Sequence, residues 1–213
     1  MRPPAAGSNI SETTDMLTRT AFTTHAREFS GVVSAGVFSE KTRRDLDHEQ
    51  GIERLSQLLA DTRARGGGLY IIGNGGSAAV ASHAVTDFFN VGGLRAMTLH
   101  DSSTLTCFSN DYGYENAFAR RVERLLTAND VLIAISSSGQ SKNILNACRS
   151  ATACAAKVIT LSGFRADNPL RRLGDINYWL DSDDYGMVEI GHLFLLHYVA
   201  DLLGLDWSGE DNG

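Results

Sequence analysis

A chain of 213 residues with 43% hydrophobic residues, 21% charged residues and a net charge of −6 can bury a core within one domain. It lacks the surplus of Lys and Arg that a nucleic-acid footprint requires. Its cysteines (Cys107, Cys148 and Cys154) are odd in number and have no CxxC spacing, which argues against a disulfide framework and a thiolate zinc module.

Residues 1–15, MRPPAAGSNISETTD, read as a loose leader without the apolar segment of a secretory signal. No later run holds about 18 uninterrupted apolar residues. The expectation is a single domain over residues 16–213, cytoplasmic and not membrane-bound. Two helices, 20–37 and 40–65, form an N-terminal helical hairpin. In the second, Leu46, Ile52, Leu55, Leu58 and Leu59 recur at helical spacing, and Gly66, Gly67 and Gly68 end it. Short apolar runs then alternate with helical segments. Strands are expected at 69–73, 94–100, 131–136, 156–162 and 176–181. Helices are expected at 77–89 and 141–153, with a polar helical stretch leading through 110–113 and a long closing helix over 187–203. Apolar strands alternating with helices predict an α/β fold, a three-layer α/β/α sandwich around a parallel sheet.

Two turns carry the chemistry. Strand 69–73 runs into GNGGS, where Asn74, Gly75 and Gly76 form a tight turn and Ser77 opens a helix. A helix N-terminus offers unpaired N–H groups and a positive dipole end to an anion. The same residues match G-x-G-x-x-A, a dinucleotide fingerprint in which Asp101 would serve as the ribose acid. The second turn favours phosphate. Strand 131–136 ends in SSSGQS, which sets Ser136, Ser137, Ser138 and Ser141 around Gly139. A helix cap needs one hydroxyl, whereas four at the carboxyl end of a strand suit a phosphate.

A second constellation lies on helices. His83 and Asp87 are four apart and share one face, and Glu189 and His197, eight apart, differ by about 80° in phase. His192 is about 140° away from His197 and points elsewhere. Two imidazoles and two carboxylates suit either a tetrahedral zinc site or a general acid–base pair. His25 and His48 read as surface, and Trp179 as packing.

GNGGSAAVASHAVTDF, SNDYGYENAFAR, SSSGQSKNI and EIGHLFLLHYV together resemble the SIS (sugar isomerase) domain family, over about residues 20–205. The likeness is to its members that isomerise a heptose phosphate. The resemblance implies conversion of sedoheptulose 7-phosphate to a D-glycero-heptose 7-phosphate through an enediol. It assigns phosphate contacts to Ser77, Ser136, Ser138 and Ser141, with Asn74, Gly75, Gly76 and Ser137 alongside, and sugar contacts to Asn110 and Asp111. It places the acid–base pair at Asp87 and His197, and a zinc site at His83, Asp87, Glu189 and His197. It further implies a homotetramer with active sites at subunit interfaces. Three positions depart from the family's pattern. Asp87 stands where Glu is usual, Glu189 where Gln is usual, and Gly186 where an Asp precedes the last helix, a place that Asp183 or Asp184 could fill. Alternatives are an isomerase of another sugar phosphate and a non-catalytic scaffold or sensor.

Overall fold

The computed structural model describes residues 21–42 and 44–208, with side chains described up to residue 205; the expected leader at residues 1–15 lies outside the described residues. Helix α1 (Phe22–Ser34) is followed by two short strands, β1 (Val37–Glu40) and β2 (Asp45–Leu46), and then by α2 (His48–Ala64). The rest alternates: β3 (Gly68–Ile72), α3 (Gly76–Asn90), β4 (Arg95–Thr98), α4 (Ser102–Tyr112), α5 (Ala117–Leu125), β5 (Val131–Ser136), α6 (Lys142–Ala153), β6 (Lys157–Ser162), β7 (Ile176–Trp179) and α7 (Tyr185–Ser208). One seven-stranded sheet results, in the order β2-β1-β7-β6-β5-β3-β4. The five strands from β3 to β7 pair in parallel, and β1 is antiparallel to both β7 and β2.

The sheet is apolar on both faces because its central strands alternate large side chains between two cores. Leu69 and Ile71 of β3, with Ile133 and Ile135 of β5, pack beneath α2, α3 and α7 with Leu55, Leu59, Phe88, Val188 and Leu196. Tyr70 and Ile72, with Leu132 and Ala134, face the other way against Phe118 and Val122 of α5 and Ile144 and Cys148 of α6. Fully burying each such Leu or Ile contributes roughly 1.5–3 kcal/mol, so two filled faces fix the three-layer arrangement.

The N-terminal region differs from a plain helical hairpin. Both helices exist, but two strands lie between them, and α2 begins at His48 instead of residue 40. Asp47 starts that helix by accepting the Gln50 amide at 2.8 Å. Phe38 explains the strand. It is 1% exposed, and its ring lies 4.7 Å from that of Tyr178 on β7, a contact available only if β1 joins the sheet edge. Helix α5 is a further addition to the sequence reading. It buries Ala117, Phe118, Ala119 and Val122 while Arg120 and Arg124 remain exposed.

Helix α7 has the length and apolar composition of a membrane span, alone among the helices of the described residues. It packs against α3, α2 and α1, with Val188, Leu196, Val199 and Ala200 fully buried in the core.

Candidate active site

The turns after β3 and β5 meet where the strand order reverses, since β4 lies on one side of β3 and β5 on the other. Crevices at the carboxyl ends of such strands are the usual ligand sites of open α/β sheets. Here the crevice is a cavity of about 370 Å³ lined by Asn74, Gly75, Gly76, Ser77, Ile135, Ser136, Ser137, Ser138, Ser141, Tyr185 and Glu189. All eight residues that the sequence assigns to phosphate binding therefore converge. Gly75 has φ of +55° and ψ of −124°, a conformation that disfavours any side chain. The turn it makes lets the chain enter α3 directly at the cavity.

The hydroxyls are not idle caps. Ser136 and Ser141 lie 3.1 Å apart through their Oγ atoms, and Ser138 Oγ accepts the Gln140 amide at 3.3 Å. Ser137 Oγ is buried without any partner. A buried hydroxyl left unpaired is costly unless a ligand completes it, and this one lines the cavity.

Asn74 has a different function from the serines. Its amide makes a reciprocal pair with Asn143 of α6, with Nδ2 donating to Asn143 Oδ1 at 3.0 Å and Oδ1 accepting from Asn143 Nδ2 at 2.9 Å. Tyr114 donates to the same Oδ1 at 2.7 Å. This side chain therefore ties the two turns together. Asn143, Tyr114 and Tyr185 escaped the sequence reading. Only the position of Asn143, two residues after Ser141, gave a signal. Tyr185 lies beyond Phe164, whose ring meets it edge-on at 4.8 Å.

Further along the same two helices lies the second constellation. Asp87 Oδ2 is 3.0 Å from His197 Nδ1 and 3.3 Å from His83 Nε2. The three residues form the one group among the described residues that could hold a metal ion, their donor atoms all lying within 4.8 Å of one another. Two imidazoles and a carboxylate match the donor set of a zinc centre that keeps an open position. The hydrogen bond to Asp87, with some help from Asp201 at 3.7 Å from Nε2, raises the pKa of His197 above the ordinary value for histidine.

Glu189 does not join this cluster. It sits in the cavity between the two turns, against Gly76, where burial raises its carboxyl pKa. Eight residues at 1.5 Å each put it about 12 Å from His197 along the helix axis. His192 faces the core as expected. It is 0% exposed, bonds the Ser162 carbonyl at 3.1 Å through Nε2, and has its pKa lowered to about 4 by burial. Asn110 and Asp111 lie exposed at the end of α4, hydrogen-bonded to each other at 3.0 Å and outside the cavity. Asp184 caps α7 by accepting the Met187 amide at 3.0 Å. Asp101, the candidate ribose acid of a dinucleotide site, instead caps α4 through the Thr104 amide and pairs with Arg121.

A sheet switch point with two hydroxyl- and glycine-rich turns and a nearby carboxylate–imidazole cluster accompanies a match of the SIS domain family model to residues 39–163. The chain is a SIS-domain protein. Within that class it belongs to the phosphoheptose isomerase family, and it is an isomerase. A phosphoheptose isomerase of Helicobacter pylori is 38% identical over 160 residues, which cover 72% of this chain and 83% of the relative. That of Geotalea daltonii is 38% identical over 167 residues, covering 75% and 85%. The solved phosphoheptose isomerase from Neisseria gonorrhoeae superimposes with a TM-score of 0.68 at 30% identity, over 72% of this chain and 86% of that one.

Proposed function

We propose that this enzyme interconverts sedoheptulose 7-phosphate and a D-glycero-heptose 7-phosphate through an enediol. The observation that carries the reading is the spacing of the two constellations on α3. At 1.5 Å per residue, His83 lies about 9 Å and Asp87 about 15 Å below Ser77 along the axis. A seven-carbon sugar, anchored by its phosphate at Ser77, Ser136, Ser138 and Ser141, would extend from that anchor along α3 in the direction of Asp87 and His197. Asn74, Gly75, Gly76 and Ser137 complete the anchor with backbone and hydroxyl donors.

In this mechanism Asp87 takes the proton from C1 of the ketose. The C1–H electron pair becomes the C1–C2 double bond as the C2 carbonyl oxygen receives a proton from His197. Return of a proton to C2 and loss of the C1 hydroxyl proton to His197 give the aldose. The raised pKa of His197 favours the protonated imidazole that the first step needs. His83, Asp87 and His197 would also hold a zinc ion, with the fourth position left open, because Glu189 of the same chain lies about 12 Å away along α7. Such a cation supplies Lewis-acid stabilisation to developing oxyanions. Asp87 cannot be a permanent metal ligand and a free base at once, so chelation separates the roles. Activity that survives chelation assigns Asp87 to proton transfer, and activity that zinc restores assigns it to the metal.

The protein is proposed to act as a cytoplasmic homotetramer, binding neither membrane nor nucleic acid. Ile190, Phe194 and Tyr198 form an exposed stripe on α7 at four-residue spacing, 53%, 54% and 45% exposed, beside His197. Covering that stripe with a second copy would close the acid–base end of the site at a subunit interface and leave Asn110 and Asp111 free to reach a sugar. Light scattering on the purified protein should give the mass of four chains.

Proton NMR with sedoheptulose 7-phosphate in D2O, with and without zinc, tests the whole reading. An anomeric aldose signal with solvent deuterium at C2 is expected, and its couplings assign the epimer. No turnover and no exchange in either condition overturns the substrate assignment.

A further inference from the structure

The position of Glu189 has a consequence for phosphate binding itself. Its carboxylate lies against the first turn of α3, so close that a Cβ added at Gly76 would fall 2.1 Å from Oε2 and 2.5 Å from Oε1. The same carboxylate lines the cavity with Ser77, Ser136, Ser137, Ser138 and Ser141. Among the described residues no Lys or Arg pairs with it, so its negative charge faces a space shaped by helix N-termini and hydroxyls. Those donors favour any anion, and the anion nearest to them in the free protein belongs to the chain itself. Yet the carboxylate leaves the cavity incomplete, because Ser137 Oγ of the turn after β5 remains buried and unpaired in the same cavity.

We propose that Glu189 is an internal competitor for the phosphate, and that the sugar phosphate enters by pushing this side chain away from the head of α3. The inference rests on reading the cavity as the phosphate anchor. A phosphate dianion and a carboxylate confined to one cavity repel each other. The glutamate yields because its side chain is flexible and held by no salt bridge, whereas the phosphate gains the donors of both turns. The consequence is a deliberately moderated affinity: substrate and product are held less tightly than the serines alone would hold them, and product release is faster. Gly76 is part of the device, since only a residue without Cβ leaves room for the carboxylate to rest there.

The test uses inorganic phosphate as the probe, titrated calorimetrically into the full chain and into its Glu189→Gln variant at one pH and ionic strength. Removing the charge while keeping the shape should tighten phosphate binding about tenfold. Glu189→Ala removes both charge and bulk and should tighten binding as well, which keeps the test decisive if the Gln variant folds poorly. Equal or weaker binding by the folded variants overturns the inference. Absence of phosphate binding in every protein overturns the anchor reading and this inference with it. Tighter binding by the variants, in a wild-type protein that leaves sedoheptulose 7-phosphate unchanged, upholds the competitor and rejects only the substrate.

Discussion

At the phosphate end of the site, Ser77, Ser136 and Ser137 are no more than 5% exposed. At the acid–base end, the side chains of His83 and His197 are 56% and 55% exposed. The first region stands where two central strands end, and its turns are fixed by strand pairing on both sides, by Gly75 and by the Asn74–Asn143 amide pair. The second lies on the flanks of two helices, with only Asp87 largely sheltered between them. Binding and chemistry are therefore supported differently. The residues of the proposed anchor converge within one chain, while the proposed acid–base group is assembled by helix packing and faces outward beside an apolar stripe. Substitutions at the two ends should accordingly separate, one set acting through kcat and the other through KM.

The largest effect is expected at Asp87. Asp87→Asn keeps the shape of the side chain but removes both the base and the charge that holds His197. It should lower kcat by about a thousandfold, the range set by losing a positioned general base, with KM changed little. Steady-state kinetics read both. A KM effect as large as the kcat effect would mean that Asp87 belongs to binding, and the contrast between the two regions would collapse.

The two ends were also unequally legible in the sequence. The strand and the serine-rich turn that lines the cavity could be read because VLIAIS is continuously apolar and stops abruptly in hydroxyls. Phase on a helical wheel correctly placed His83 beside Asp87 and turned His192 inward. The same wheel grouped Glu189 with His197, because a projection down the axis discards the axial rise that separates them. Strand β1 stayed hidden for another reason. Four residues between two helical segments hold too little alternation to reveal a period, and Phe38 is drawn into the sheet by Tyr178, a partner 140 residues away. Asn143 and Tyr114 are polar side chains whose importance lies wholly in what they bond across the turns, which spacing along the chain does not encode.

A second prediction concerns the core that joins the two regions. His192 lies between Glu189 and His197 on α7 and is neutral when buried, with its pKa lowered to about 4 from the value near 6.5 of an unfolded chain. The unfolded state therefore binds the extra proton first as the pH falls. Stability from this residue is fully present above about pH 6.5, is lost progressively as the pH drops toward 4, and amounts in total to about 3 kcal/mol. Urea denaturation between pH 7 and pH 4.5 should show this loss in the wild type. His192→Leu should flatten the slope by close to one proton, while the Ser162 carbonyl keeps a donor in the Leu180 amide at 3.0 Å. An unchanged slope in the variant would assign the acid sensitivity to carboxylates instead.

The smallest effect belongs to the tie between the turns. Tyr114→Phe deletes the hydroxyl that donates to Asn74 Oδ1 at 2.7 Å but leaves the amide pair with Asn143 in place. One hydrogen bond from a half-exposed phenol contributes about 1 kcal/mol, so KM for the sugar phosphate should rise about fivefold. Because Tyr114 bonds only the phosphate end, kcat should hold constant and the pH–rate profile, set by Asp87 and His197, should not move. Were kcat to fall in step with the rise in KM, the two turns would have to position the sugar for proton transfer as well as anchor its phosphate. The anchor and the exposed acid–base group would then work as one mechanical unit joined through α3.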